Sequence, residues 1–209
     1  SRRHVPQVVD DLEESDGQRA EVAREPDQLV AGPLGGEVVR GLDQVDVEPL
    51  GDAIGLMAEF LRDHRQVGAA GARLQYGDGT FQHGVFAFPG LLQLWFDLFP
   101  PRPRRLLDSR LNGRYGRALF DAGQPFQVDF ALGAALMVRR EAIDAVGLLD
   151  EGYFMYAEEV DWCWRMQRAG WPVYCVPAAR VTHHSGASSR QFRSESILNL
   201  WRSRRRLYG

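Results

Sequence analysis

Three polar clusters in this 209-residue chain are able to move protons or hold a cation. The first is Tyr156-Ala157-Glu158-Glu159-Val160-Asp161, three carboxylates within four residues at the start of an amphipathic stretch. Carboxylates near a helix N-terminus are stabilised by free N–H groups and the dipole, about 0.3–1 kcal/mol each. Three together exceed what capping needs. Crowded like charges raise at least one pKa, which suits a general base. The second cluster is His183-His184-Ser185-Gly186, directly after an apolar strand. Neighbours on a strand point to opposite sides, so at most one imidazole faces a given site, where it suits a divalent metal or a phosphate. The third is Asp46-Val47-Glu48, two carboxylates at strand spacing on one face, apt for Mg2+ or Mn2+ bridging a diphosphate.

The elements around these clusters follow from periodicity. Residues Asp52 to His64 predict an amphipathic helix, with Ile54, Met57, Ala58 and Leu61 on its inner stripe. Val67 to Leu74 predicts a small-residue strand, followed by a tight turn at Gly77-Asp78-Gly79-Thr80. Residues 97–127 predict irregular chain, since Pro100-Pro101-Arg102-Pro103 breaks any helix. The near-continuous apolar run 128–138 predicts one buried strand with a close backbone approach at Gly133. Arg140 to Val146 predicts a short helix ending at Gly147. Glu158 to Ala169 predicts a second, stopped by Gly170, with Val160, Cys163, Trp164 and Gln167 on its stripe. Pro172 to Val176 and Ala179 to Thr182 predict two short strands. Strand–helix alternation over 46–184 argues for an α/β layer fold.

Composition bounds the rest. Hydrophobic residues make up 44% and charged residues 25%, which is globular, and the net charge of −3 excludes a generic nucleic-acid binder. No apolar run approaches the ~20 residues of a spanning helix, and no signal-peptide core opens the chain. Two cysteines are too few for a disulfide scaffold, so a reducing compartment is expected. All 25 basic side chains are Arg, with three Ile and two Asn, the signature of GC-rich coding DNA. Residues 1–45 carry 10 acidic and 5 basic side chains and no aromatic one, and show no strand pattern; they are expected to be a poorly ordered acidic leader.

The stretch Val128 to Ser189 resembles the C-terminal half of the catalytic domain of family 2 glycosyltransferases, in the rhamnosyltransferase-like branch. The matching residues are Gly133-Ala134-Ala135-Leu136-Met137-Val138-Arg139-Arg140, Gly147-Leu148-Leu149-Asp150-Glu151 and Phe154-Met155-Tyr156. They continue through Glu158 to Arg165, Ala169-Gly170-Trp171 and Pro177 to Arg180, ending at His183-His184. Upstream, Val67-Gly68, Arg73-Leu74, Asp78-Gly79-Thr80 and Gln82-His83 extend the likeness back to Asp46. The resemblance implies an inverting sugar transfer on a partial GT-A, Rossmann-like fold over residues 46–189. It puts the base at Glu159, where the family usually has Asp, with Glu158 and Asp161 as supporting carboxylates. The longer arm carries the carboxylate outward by about one C–C bond. The same resemblance implies substrate contacts at Gly133, Ala134, Tyr156, Trp162 and Arg165, and a divalent metal, Mg2+ or Mn2+, on Asp46, Glu48 and His183. Its partners would be a nucleotide-sugar donor and a glycan or lipid-linked sugar acceptor, with no nucleic acid.

Residues 1–45 show none of the nucleotide-binding βαβ half with which the family begins. In GC-rich DNA wrong frames stay open, so a shifted-frame leader rejoining the true frame near Asp46 is expected. Residues 190–209 hold six Arg against one Glu and predict an amphipathic helix able to rest on an anionic membrane surface, hence a cytoplasmic protein, peripheral at the inner face of the cell membrane. A catalytically inactive remnant or acceptor-side interaction module is the alternative to an enzyme. A zinc module from Cys163, Cys175 and His183-His184 matches no compact ligand spacing.

Overall fold

The computed structural model describes residues 29–31, 47–184 and 193–209. Asp46, the leader apart from residues 29–31, and Ser185 lie outside the described residues, as do the expectations placed on them.

A mixed sheet forms the centre. Its strands are β1 (Leu29–Ala31), β2 (Val47–Leu50), β3 (Ala69–Gln75), β4 (Phe81–Gln82), β6 (Phe126–Val128), β8 (Leu136–Arg139) and β9 (Val173–His183), with β5 (Val85–Phe86) and β7 (Phe130–Ala131) forming a separate ribbon. The main order is β1-β8-β3-β9-β2, with β3 and β9 parallel and the other pairings antiparallel. The strand at Leu29–Ala31 was not expected. Three residues are too few to show alternation, and an open edge of β8 accepts them.

Helices cover both faces. On one, α1 (Ala53–Asp63) sets Ala53, Met57, Phe60 and Leu61 against Ala70, Ala72, Leu74, Met137, Val176 and Val181. Ile54, assigned to the inner stripe by sequence, is 51% exposed, and Ala53 and Phe60 join Met57 and Leu61 on the buried stripe instead. On the other face, α4 (Arg140–Val146) and α5 (Glu158–Arg168) pack on Ala69, Val138, Val173 and Cys175. Successive residues of β3, β8 and β9 therefore serve opposite layers, the period-2 pattern of a three-layer α/β sandwich.

Two expectations about strands are corrected. The run 128–138 is not one strand. It divides into β6, β7 and β8, with a 3-10 turn at Gly133–Ala135, since the small residues there let the chain turn while β7 pairs with β5. Ala131 then crosses so close to Gly71 that a Cβ on Gly71 would lie 2.5 Å from that of Ala131. Conversely, Val173–His183 is one strand rather than two. Pro177 ends no strand because it falls in an irregularity where the register against β3 jumps from Val176 to Arg180. Before the jump the other edge of β9 pairs with β6, and after it with β2.

The segment 97–127 is less irregular than expected. Helix α2 (Leu91–Leu98) runs into it, and it contains the short helix α3 (Arg117–Asp121) between 3-10 turns and β6. Helix α6 (Arg193–Tyr208) closes the described chain.

Candidate active site

Helix α5 begins with its three carboxylates as its sequence predicts, but the approach is unusual. Tyr156 and Ala157 both adopt positive φ, 69° and 67°, without being glycine. Two consecutive left-handed residues cost of order 1–2 kcal/mol each and persist only where surrounding structure dictates them. They swing the half-buried Tyr156 and the first turn of α5 into place.

Glu158 and Glu159 each seal one carboxylate oxygen, Oε2, away from solvent with no hydrogen-bond partner. Burial raises the Glu159 carboxyl to about 7, and the neighbouring Glu158 charge pushes the same way. Cys163 lies one turn on, fully buried, its thiol pushed up to about 12, chiefly by burial. A half-protonated carboxyl near neutral pH is what general base chemistry requires.

Asp161, Trp162 and Arg165 make a set of contacts within the protein. Arg165 Nε donates to Asp161 Oδ2 at 2.8 Å, Nη1 to the Val146 carbonyl at 2.6 Å and Nη2 to the Leu148 carbonyl at 2.9 Å. Trp162 Nε1 donates to the Gly147 carbonyl at 2.8 Å. These three side chains fasten α5 to the C-terminus of α4, where Gly147 turns at φ 79°. Trp162 is buried and Trp164 exposed, the reverse of the sequence stripe, because the indole N–H seeks the α4 carbonyl. Gly133 and Ala134 are half-buried in the turn just after β7, the ribbon strand on which α5 rests.

The described candidate cation ligands sit on β2 and at the C-terminal end of β9. Val47 pairs with His183 and Glu48 with Thr182, so Glu48 and His183 project from opposite faces of the ladder. Among the described residues no three His, Cys, Asp or Glu side chains converge on one point. Val47, the residue after Asp46, is thus set against the imidazole-bearing end of β9. The sequence did not single out Gln82 beyond its place in the resemblance. Its buried amide Nε2 lies 3.1 Å from His183 Nδ1, and a buried Gln beside a His on paired strands leaves no signal in one sequence.

Comparison with known proteins adds to this geometry. The chain is 47% identical over 62 residues to the N-acetylglucosaminyl-diphospho-decaprenol L-rhamnosyltransferase of Mycobacterium tuberculosis, covering 30% of the chain and 20% of that protein. The chain resembles rhamnosyltransferases. Rhamnosyltransferase WbbL of Escherichia coli is 36% identical over 70 residues, covering 34% of the chain and 26% of that relative. The dTDP-rhamnosyl transferase RfbF of Shigella flexneri is 29% identical over 85 residues, covering 40% of the chain and 29% of its own length. The chain thus spans less than a third of the length of these rhamnosyltransferases. No family model matches. A solved structure of GalNAc-T7 with UDP, GalNAc and Mn2+ is 16% identical, with a TM-score of 0.42 over 66% of the chain and 26% of that structure.

Proposed function

We propose that the chain serves an inverting, family 2 sugar transfer on a GT-A fold, moving rhamnose or a related sugar from a nucleotide-sugar to a polysaccharide or lipid-linked acceptor. The observation that carries the proposal is Glu159, a carboxyl raised to about 7 on the first turn of α5, with an oxygen shielded from water and unsatisfied. Such a group takes the proton of an acceptor hydroxyl as the oxygen attacks the anomeric carbon, and the nucleoside diphosphate leaves from the opposite face. Burial, and after it the like charge of Glu158, keeps the Glu159 pKa high. Asp161, Trp162 and Arg165 hold α5 at a fixed angle to α4, so the base is positioned by a rigid helix rather than by a loop. Tyr156 and the Gly133-Ala134 turn are the proposed sugar contacts.

Carboxylate and imidazole donors suit Mg2+ or Mn2+. Asp46, Glu48 and His183 are the proposed holders; Glu48 projects from the face of the ladder opposite His183, so one ion shared by all three needs a change in β2. When bound, the ion supplies charge neutralisation for the departing diphosphate. Gln82 orients the His183 ring. A cytoplasmic place at the inner face of the membrane accords with a lipid-linked acceptor.

Titration calorimetry with dTDP-rhamnose and Mn2+ tests the proposal, followed by turnover. Glu159→Gln should abolish transfer and leave donor affinity within about twofold. Unchanged turnover refutes the base. A folded sample that binds no nucleotide-sugar favours the non-catalytic module instead.

A further inference from the structure

Helix α2 is apolar on the outside. Leu91, Trp95 and Leu98 recur at i, i+4 and i+7, and all are exposed, Leu91 at 85% and Trp95 at 57%. Phe99 extends the stripe, its ring 4.5 Å from that of Trp95, whereas Phe96 alone of this helix is buried. The following segment exposes Arg102, Arg104 and Arg105, none of which forms an ion pair with a described residue.

Helix α6 continues this face. Ser203 donates to the Met155 carbonyl at 2.7 Å, Arg206 grips Asp150 and Leu207 packs on the core, which fixes the inward side of α6. Leu198, Trp201, Arg202 and Arg205 are left outward. Arg204 joins the helices, with one nitrogen 2.6 Å from Asp97 of α2 and its guanidinium 5.5 Å from the Trp201 ring.

We infer that α2 and α6 form one face that seats the protein on an anionic phospholipid surface, α2 entering the headgroup layer and α6 lying along it. The charge on this face selects the occupant. The whole chain carries −3, yet the exposed side chains of α6 and of the segment after α2 include five arginines, Arg102, Arg104, Arg105, Arg202 and Arg205. A two-fold contact with a second copy would set these arginines near their own counterparts, whereas anionic headgroups complement them. Exposed tryptophans beside leucines are suited to the boundary between headgroups and acyl chains. The inference deepens the peripheral placement proposed above by naming its surface, and it is independent of sugar transfer.

Sedimentation with phosphatidylcholine vesicles, with and without phosphatidylglycerol, tests it at low salt. The wild type should bind only the anionic vesicles, and brominated phospholipid should quench tryptophan emission, an effect reduced in Trp95→Phe. Trp95→Ser with Phe99→Ser should weaken partitioning by roughly tenfold or more at an unchanged circular dichroism spectrum. Absence of wild-type binding overturns both this inference and the peripheral placement. Wild-type binding with no change in the double variant and no quenching through Trp95 overturns the α2 face alone. A dimer that the double variant dissociates, without vesicle binding, assigns the face to a second copy and overturns the lipid assignment.

Discussion

Glu158 and Glu159 are neighbours in sequence whose Oε2 atoms are both buried without a hydrogen-bond partner at the start of α5. Glu159 makes stability depend on pH in an identifiable direction. Glu159 titrates near 4.5 as an ordinary glutamate and at about 7 here. Between those values the folded protein keeps a proton that the unfolded chain has lost. Stability is therefore greatest below about pH 4.5 as far as this group is concerned, falls as pH rises to 7, and is constant above. The full effect is at most about 3 kcal/mol. Glu159→Gln removes the dependence, so its unfolding midpoint should gain on that of the wild type between about pH 5 and pH 8. Parallel midpoints would show that the carboxyl titrates normally.

The same titration sets the proposed chemistry. Transfer needs the carboxylate, so turnover should rise with pH through about 7 and then level. Glu159→Asp, which withdraws the carboxylate by one C–C bond but keeps its charge, should retain measurable transfer where Glu159→Gln has none. Initial rates across that range check both points. A flat profile would place the proton transfer elsewhere.

Arg165 is the fastening of α5, and only a forked cation satisfies Asp161, Val146 and Leu148 together. Arg165→Lys keeps the charge and loses the fork. It should lower stability by about 1–3 kcal/mol, seen as an earlier urea midpoint with an unchanged slope. Trp162→Phe, which loses one bond to Gly147, should cost less, about 1 kcal/mol.

Arg139 plays the matching part on the opposite layer. It is buried, with Nε donating to the Val67 carbonyl at 2.9 Å and Nη2 to the carbonyls of Leu61 and His64. These carbonyls end α1 and lead into β3, so the guanidinium closes the end of the helix. Arg139→Met fills the volume but abandons the acceptors, and should destabilise by about 2–4 kcal/mol in chemical unfolding.

Helices α1, α4 and α5 are readable from sequence because Asp52, Gly147 and Gly170 mark their ends within a residue or two. Their inner faces are less so. Trp164 and Ile54 satisfy the periodicity as well as Trp162 and Ala53, and the choice depends on partners supplied by distant chain, the Gly147 carbonyl above all. Strand division failed for the same reason. Nothing local tells that β7 will leave the run 128–138 to pair with β5, or that β9 will pass Pro177 by exchanging β6 for β2. In the candidate site the carboxylates of α5 are plain because they are contiguous. The Gln82–His183 contact joins residues 101 positions apart and has no signature in one sequence.

Cys163 and Cys175 give the last test. Both are fully buried on the α5 side of the sheet, and burial pushes each thiol up to about 12. The reactive species is the thiolate, so in the folded protein neither should be modified by a disulfide reagent at neutral pH except through opening. Reaction in native buffer should be slow and proportional to the unfolded fraction, and both thiols should react at once in denaturant. Adding sub-denaturing urea should speed labelling of both cysteines together, because Val173 and Cys175 of β9 and Cys163 of α5 belong to one packed layer. Labelling of Cys163 alone would instead reveal that α5, and with it the proposed base, separates from the sheet before the core opens.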